Sequence, residues 1–77
     1  MAFRAQRRTG NRTDVIARED SYGRAQDKLI LSLTEHRTYA RNTGNGNPEM
    51  YDMAIQKIVK GSSAETVYGY LFEIVQV

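Results

Sequence analysis

The chain has 77 residues, of which 11 are lysine or arginine and 9 are aspartate or glutamate, giving a formal net charge of +2. A chain this short forms one domain and buries only about 60% of the surface exposed by its unfolded state, which excludes a large enzyme. Because it contains no cysteine, a disulfide framework and a thiolate metal site are also excluded.

The positive charge is concentrated in residues 1–18, which hold five arginines against one aspartate. Residues 19–77 hold six basic and eight acidic side chains. Few large apolar side chains occur in the first segment, and Thr9-Gly10-Asn11 fits either a disordered arm or the turn of a weak hairpin. We favour a flexible basic arm over residues 1–18. No apolar run is long enough to span a bilayer, and the first residues lack the apolar centre of a secretory signal, so a cytoplasmic location is expected.

Arginine dominates this basic segment, and its planar guanidinium pairs with two phosphate oxygens at once. We therefore expect the arm to bind the phosphate backbone of a nucleic acid. The alternative partner is an acidic protein surface. The side chains expected to make these contacts are Arg4, Arg7, Arg8 and Arg12.

Two amphipathic helices are predicted after the arm. The first, over about residues 21–41, has apolar side chains every three or four positions (Tyr22, Ala25, Leu29, Leu33, His36 and Ala40). The second, over 48–60, begins at Asn47-Pro48-Glu49, which supplies a cap, a proline at the first helical position and an acid in the first turn. Gly61 is expected to end it.

The last segment fits two structures. As a helix over 64–76 it has Ser63 as its cap and apolar side chains at spacings of three and four. As a strand over 66–76 it is rich in β-branched and aromatic residues and apolar on both faces, as a buried central strand is. The helix is favoured. The sequence therefore predicts an all-α, three-helix bundle forming a single small domain over residues 19–77, with α+β and a C-terminal strand as the alternative.

With that choice, residues 56–71 (QKIVKGSSAETVYGYL) resemble the helix-turn-helix family of DNA-binding domains. The likeness lies in Gly61 at the turn, Ser63 at the cap of the second helix and Leu71 on its inner face. The resemblance implies that the helix from Ala64 enters the major groove of DNA. It also implies nucleic-acid contacts from Lys57, Lys60, Ser63 and Tyr68.

The C-terminal helix would carry a second apolar stripe, which consists of Tyr70, Ile74 and Val77. A small bundle cannot bury two stripes of one helix unless the first helix covers both. We therefore expect an interface there for self-association or for a protein partner.

One histidine and no cysteine leave no nucleophile with its base and no transition-metal set, so no enzyme activity, metal or cofactor is expected. The leading hypothesis is a small nucleic-acid-associated regulator that self-associates through its C-terminal helix. The alternatives are a protein-binding adaptor or inhibitor of the kind that mobile elements encode, and a structural subunit of an assembly.

Overall fold

The computed structural model describes all 77 residues and shows an α+β fold. A four-stranded antiparallel sheet has the strand order β2-β1-β4-β3. Both helices pack on one side of it, because every sheet residue of the buried core belongs to that side. The elements are β1 (Phe3–Thr9), β2 (Arg12–Glu19), α1 (Tyr22–Thr43), α2 (Pro48–Val59), β3 (Ala64–Val67) and β4 (Tyr70–Gln76).

The all-α prediction is wrong. The expected arm, residues 1–18, is a hairpin, and the expected third helix, 64–76, is a second hairpin. The α+β alternative has the right class, although its strand over 66–76 is two strands with a turn between them. The strands are stabilised by hydrogen bonds between the two hairpins, which neither hairpin can make alone. β1 pairs along most of its length with β4, near the other end of the chain.

The N-terminal hairpin turns at Gly10, which adopts a φ of 56° between the paired residues Thr9 and Arg12. Glycine adopts such angles without the steric cost that a Cβ imposes. Further along, Ala5 pairs with Ala17 whereas Gln6 pairs with Val15, so Ile16 is an extra residue in β2. This β-bulge turns Ile16 toward the core, against which it packs.

The two helices lie close to their predicted bounds. Ser21 caps α1 by accepting a hydrogen bond from the Arg24 backbone N–H at 3.2 Å, and Gly44 ends the helix with a φ of 72°. Asn47 caps α2 by accepting from the Glu49 N–H at 3.0 Å, with Pro48 in the first turn as expected. An ion pair of 2.6 Å between Arg37 and Asp52 joins the two helices. Neither helix is long and apolar enough to cross a membrane.

The C-terminal hairpin turns at Tyr68 and Gly69, whose φ angles of 50° and 80° are both positive, as a type I′ turn requires. Val67 and Tyr70 pair across this turn. A helix over 64–76 would need negative φ at both positions. Such a helix would also leave one edge of β1 unpaired, because that edge pairs with β4 from Phe3↔Gln76 to Arg8↔Leu71.

The hydrophobic core lies between the sheet and the helices. It is formed by Ala5, Ala25, Leu29, Leu33, Ala54, Ile58, Val67, Phe72 and Ile74. The apolar stripe predicted for α1 is buried at Ala25, Leu29, Leu33 and Ala40. Since β1 and β2 supply Ala5 and Ile16 to the same core, the N-terminal segment is part of the domain and not an appendage of residues 19–77.

Candidate nucleic-acid interface on the open sheet face

One face of the sheet carries no helix, and we call it the open face. Strand pairing assigns its members, because directly opposed residues point to the same side of a sheet. Arg4 opposes Arg18 on β2 and Val75 on β4, which fixes the side of all three. The open face consists of Arg4, Gln6, Arg8, Thr13, Val15, Arg18, Ala64, Thr66, Leu71, Glu73 and Val75.

The open face carries the net charge of the protein. It has three arginines and one glutamate, so +3 and −1 leave +2, which equals the formal charge of the whole chain. The remaining eight basic and eight acidic side chains cancel. The alternation of side chains along β1 and β2 thus divides the arginines of residues 1–18 between the two faces of the sheet.

A chain of polar contacts crosses the centre of the open face. Arg4 Nε donates to Gln6 Oε1 at 2.7 Å, and Gln6 Nε2 donates to Glu73 Oε2 at 2.8 Å. Arg8 Nε lies 3.3 Å from the same carboxylate oxygen. Gln6 is only 5% exposed although no helix covers it, because these neighbours close over it. These contacts fix the positions of the Arg4 and Arg8 guanidinium groups.

These contacts leave the outer ends of the arginines free. Arg4 and Arg8 are held through Nε, and their Nη atoms make no hydrogen bond to the protein. Arg18 takes part in no ion pair. Arg4 and Arg8 are four residues apart on one strand, or roughly 13 Å. The open face therefore presents several guanidinium groups to an anion with more than one charged group.

No aromatic residue lies on the open face. Phe3, Tyr70 and Phe72 point to the side covered by the helices, and the other aromatic side chains belong to the helices or to the turn at Tyr68. Base stacking on a sheet requires exposed aromatic side chains, as in the RNA-binding sheets that stack two or three bases. The open face can thus contact phosphates but has no platform for bases.

Two of the four arginines expected to bind nucleic acid lie elsewhere. Arg7 points to the covered side, where its Nη2 donates to Asp14 at 2.9 Å and its guanidinium lies 4.8 Å from the centre of the Tyr70 ring. Arg12 also pairs with Asp14, at 3.1 Å. Hydrogen bonds from Arg7 and Arg12 hold the pKa of the Asp14 carboxyl below its ordinary value. Arg7 is therefore already ion-paired within the protein.

His36 lies beside Arg7 on the covered side. Its Nδ1 donates to the Ser32 carbonyl at 2.7 Å, since a carbonyl only accepts, and Nε2 accepts from Arg7 Nη1 at 3.1 Å. These two contacts define a neutral imidazole. The ring packs edge-on against Phe72, with centroids 5.5 Å apart. His36 thus joins α1 to the sheet.

The residues implied by the helix-turn-helix resemblance are dispersed. Lys57 and Lys60 lie at the end of α2, where Lys57 is 3.7 Å from Glu65, and Ser63 precedes β3. Tyr68 is in the hairpin turn, and its hydroxyl accepts a hydrogen bond from the Asn47 N–H at 2.6 Å. No helix begins at Ala64, so the element that would enter a major groove is missing.

The stripe expected to bind a protein partner does not form a surface. Tyr70 and Ile74 share the covered face of β4, where Ile74 is only 8% exposed, while Val77 follows the strand at the chain end. Their spacing suits a helix, whereas on a strand every second residue shares a face.

Near Tyr70, burial and the neighbouring tyrosines Tyr68 and Tyr70 raise the pKa of Tyr51 above its ordinary value.

Sequence reasoning missed Gln6, Arg18 and Glu73. The missed signal was the alternation of Phe3, Ala5 and Arg7 with Arg4, Gln6 and Arg8, which is the period of a strand.

No group of three or more histidine, aspartate or glutamate side chains is arranged to hold a metal ion. No protein-family model, no curated protein and no solved structure matches the chain.

Proposed function

We propose that the protein is a non-enzymatic nucleic-acid-associated protein that lays the open face of its sheet on the phosphate backbone. The contacts would be made by Arg4, Arg8 and Arg18, with Gln6 and Glu73 holding the first two in place. Such a protein acts where nucleic acid is present, in keeping with the cytoplasmic location expected from the sequence.

The observation that carries this proposal is the coincidence of the protein's whole net charge with its one uncovered face. Arginines whose Nη atoms have no partner favour a polyanion, because each can form paired hydrogen bonds to phosphate. The lack of aromatic side chains on this face favours binding that does not depend on base sequence. The proposal thus replaces a groove-reading helix by a flat basic surface.

The test is a fluorescence-anisotropy titration of labelled single-stranded and duplex oligonucleotides of several sequences, at a series of salt concentrations. Three arginine contacts set the expected dependence: the logarithm of the association constant falls with the logarithm of salt concentration with a slope of at most about −2.7 for duplex DNA. Oligonucleotides of equal length and different sequence should bind alike.

The deciding variant is the triple substitution Arg4→Gln, Arg8→Gln and Arg18→Gln. Its matched control removes the same charge from the covered side, as Arg24→Gln, Arg41→Gln and Lys60→Gln, three side chains that form no ion pair. We expect the first variant to lose binding and the control to keep most of it. Equal losses would mean that net charge alone attracts the nucleic acid. No binding to any oligonucleotide at the lowest salt would overturn the proposal.

A further inference from the structure

The longer exposed edge of the sheet is β2, with eight residues against four for β3. An edge strand presents backbone N–H and C=O groups that a further strand can pair with. Beside β2 runs a groove against α1, lined by Ile16, Lys28, Leu31 and Glu35, and it continues past Lys28 to Glu19. Val15 and Leu31 are large apolar side chains along this edge and are 47% and 52% exposed.

The bulge at Ile16 allows residues before it to oppose residues after it in an antiparallel pair of two β2 strands. Arg12 and Asp14 before the bulge point to the covered side, and so do Ala17 and Glu19 after it. An antiparallel pair requires opposed residues to share a side. The register that places Arg12 opposite Glu19 of the second copy also places Asp14 opposite Ala17 and Thr13 opposite Arg18, and each of these three pairs shares a side. At the centre, Val15 of the open face opposes the bulged Ile16, so the ladder is interrupted there.

The charges select this register. It brings Arg12, whose side chain is 79% exposed, beside the carboxylate of Glu19 in the second copy. A shift by two residues also keeps opposed residues on one side, but it places Asp14 opposite Glu19, which are two like charges. Because the pairing is two-fold symmetric, each favourable or unfavourable contact occurs twice.

The neighbouring helix shows a second self-complementary pattern. Leu31 lines the groove together with Ile16, so it lies level with the middle of β2, where the two-fold axis would pass. Lys28 precedes Leu31 in α1 and Glu35 follows it. A two-fold axis near Leu31 therefore turns Lys28 of one copy toward Glu35 of the other. The charges on α1 agree with those on β2.

We propose that the protein forms a symmetric dimer by antiparallel pairing of β2 with β2 of a second copy. The occupant of the edge is this chain itself, and the interface is the β2 edge and the exposed side of α1, not the C-terminal segment. The two sheets would form one eight-stranded sheet with all four helices on one side. If the open face binds phosphates as proposed above, the dimer presents a basic surface twice as long.

Charge reversal tests the pairing, and sedimentation velocity without nucleic acid measures it. Arg12→Glu alone and Glu19→Arg alone should each weaken dimerisation by about tenfold, since each turns two attractive cross-strand pairs into repulsive ones. The double variant should restore it. Lys60→Glu, which makes the same charge change away from the edge, should have no effect. A monomer at all concentrations, or a folded double variant that stays as weak as the single ones, would overturn the proposal.

Disulfide trapping gives a second measurement that does not depend on a charge. The chain has no cysteine, and opposed residues of antiparallel strands are close enough for a disulfide, with Cα atoms about 4.5–5.5 Å apart. Oxidation of a Thr13→Cys/Arg18→Cys variant should give a covalent dimer, whereas Thr66→Cys on the open face should not. A dimer that forms when the protein fails to bind nucleic acid would leave this proposal standing and overturn only the proposed function.

Discussion

The two faces of the sheet are built by the same strands and have opposite chemistry. The covered face buries Ala5, Val67, Phe72 and Ile74 against the helices. The open face carries arginines and a glutamate linked through the buried side chain of Gln6. Because side chains alternate along a strand, neighbouring arginines such as Arg7 and Arg8 end on different faces and have different partners. A cluster of like residues in a sequence is therefore not necessarily a cluster in the fold.

The largest expected effect is on the covered face. Phe72→Ala removes a side chain that is 1% exposed at the centre of the core. We expect it to lower the free energy of unfolding by about 3–5 kcal/mol, measured by urea denaturation, because a cavity replaces buried contacts. The control on the open face is Val15→Ala, which should cost less than about 1 kcal/mol. Equal costs would contradict the difference drawn between the two faces.

The open face should show one position of comparable sensitivity. Gln6→Leu removes the hydrogen bonds to Arg4 and Glu73 and leaves the carboxylate with only Arg8 as its partner. We expect a loss of about 1–3 kcal/mol in unfolding free energy. In the double variant Gln6→Leu/Glu73→Leu the effect should be smaller than in Gln6→Leu alone, since no partly buried carboxylate is left short of a partner. Additive losses would show that the polar chain does not act as a unit.

A smaller effect is expected where the C-terminal turn meets the start of α2. Tyr68→Phe removes the hydroxyl that accepts the Asn47 N–H. A loss of about 1 kcal/mol is expected in thermal or urea unfolding. The matched control is Tyr39→Phe, whose exposed hydroxyl has no partner in the protein, and it should unfold like the parent. Identical behaviour of the two variants would show that this contact does not help to hold the sheet to the helices.

The covered side should also lose stability at alkaline pH. The pKa of Tyr51 is raised by burial and by neighbouring tyrosines, above the ordinary value of 10.0. The neutral form is the one that the fold favours, so its contribution is fully present below pH 10 and is lost as the pH rises through the raised pKa. Tyr51→Phe should flatten this part of the curve of stability against pH. An unchanged alkaline decline would assign it to other groups.

The smallest expected effect is at acid pH and concerns Asp14. Hydrogen bonds from Arg7 and Arg12 lower its pKa below the ordinary value of 3.8. The ionised form is favoured by the fold, so its contribution is present above that value and is lost as the pH falls through the lowered pKa. Asp14→Asn should be less stable than the parent at neutral pH, with the difference shrinking in acid. A difference that does not depend on pH would contradict this assignment.

The helices were predictable because their signals are local. Ser21 and Gly44 bound α1, and Asn47 and Pro48 begin α2, each through contacts within a few residues. The strands were not predicted as favoured structures, because residues 64–76 fit helical and strand periods alike and residues 1–18 have few large apolar side chains to mark the alternation. For the candidate site, Arg4 and Arg8 were among the expected residues, but Gln6, Arg18 and Glu73 come together only after strands from both ends of the chain pair.

The sequence by itself determined the two amphipathic helices, the Asn47 cap of α2 and the excess of arginine near the start of the chain. Only the tertiary structure decided how these arginines divide between the two faces of the sheet. The physical reason is that β1 gains hydrogen-bonding partners on both sides only when β4, about 67 residues away, pairs with it. That long-range pairing fixes the side of each arginine, and hence which of them face solvent and which contact Asp14 and His36.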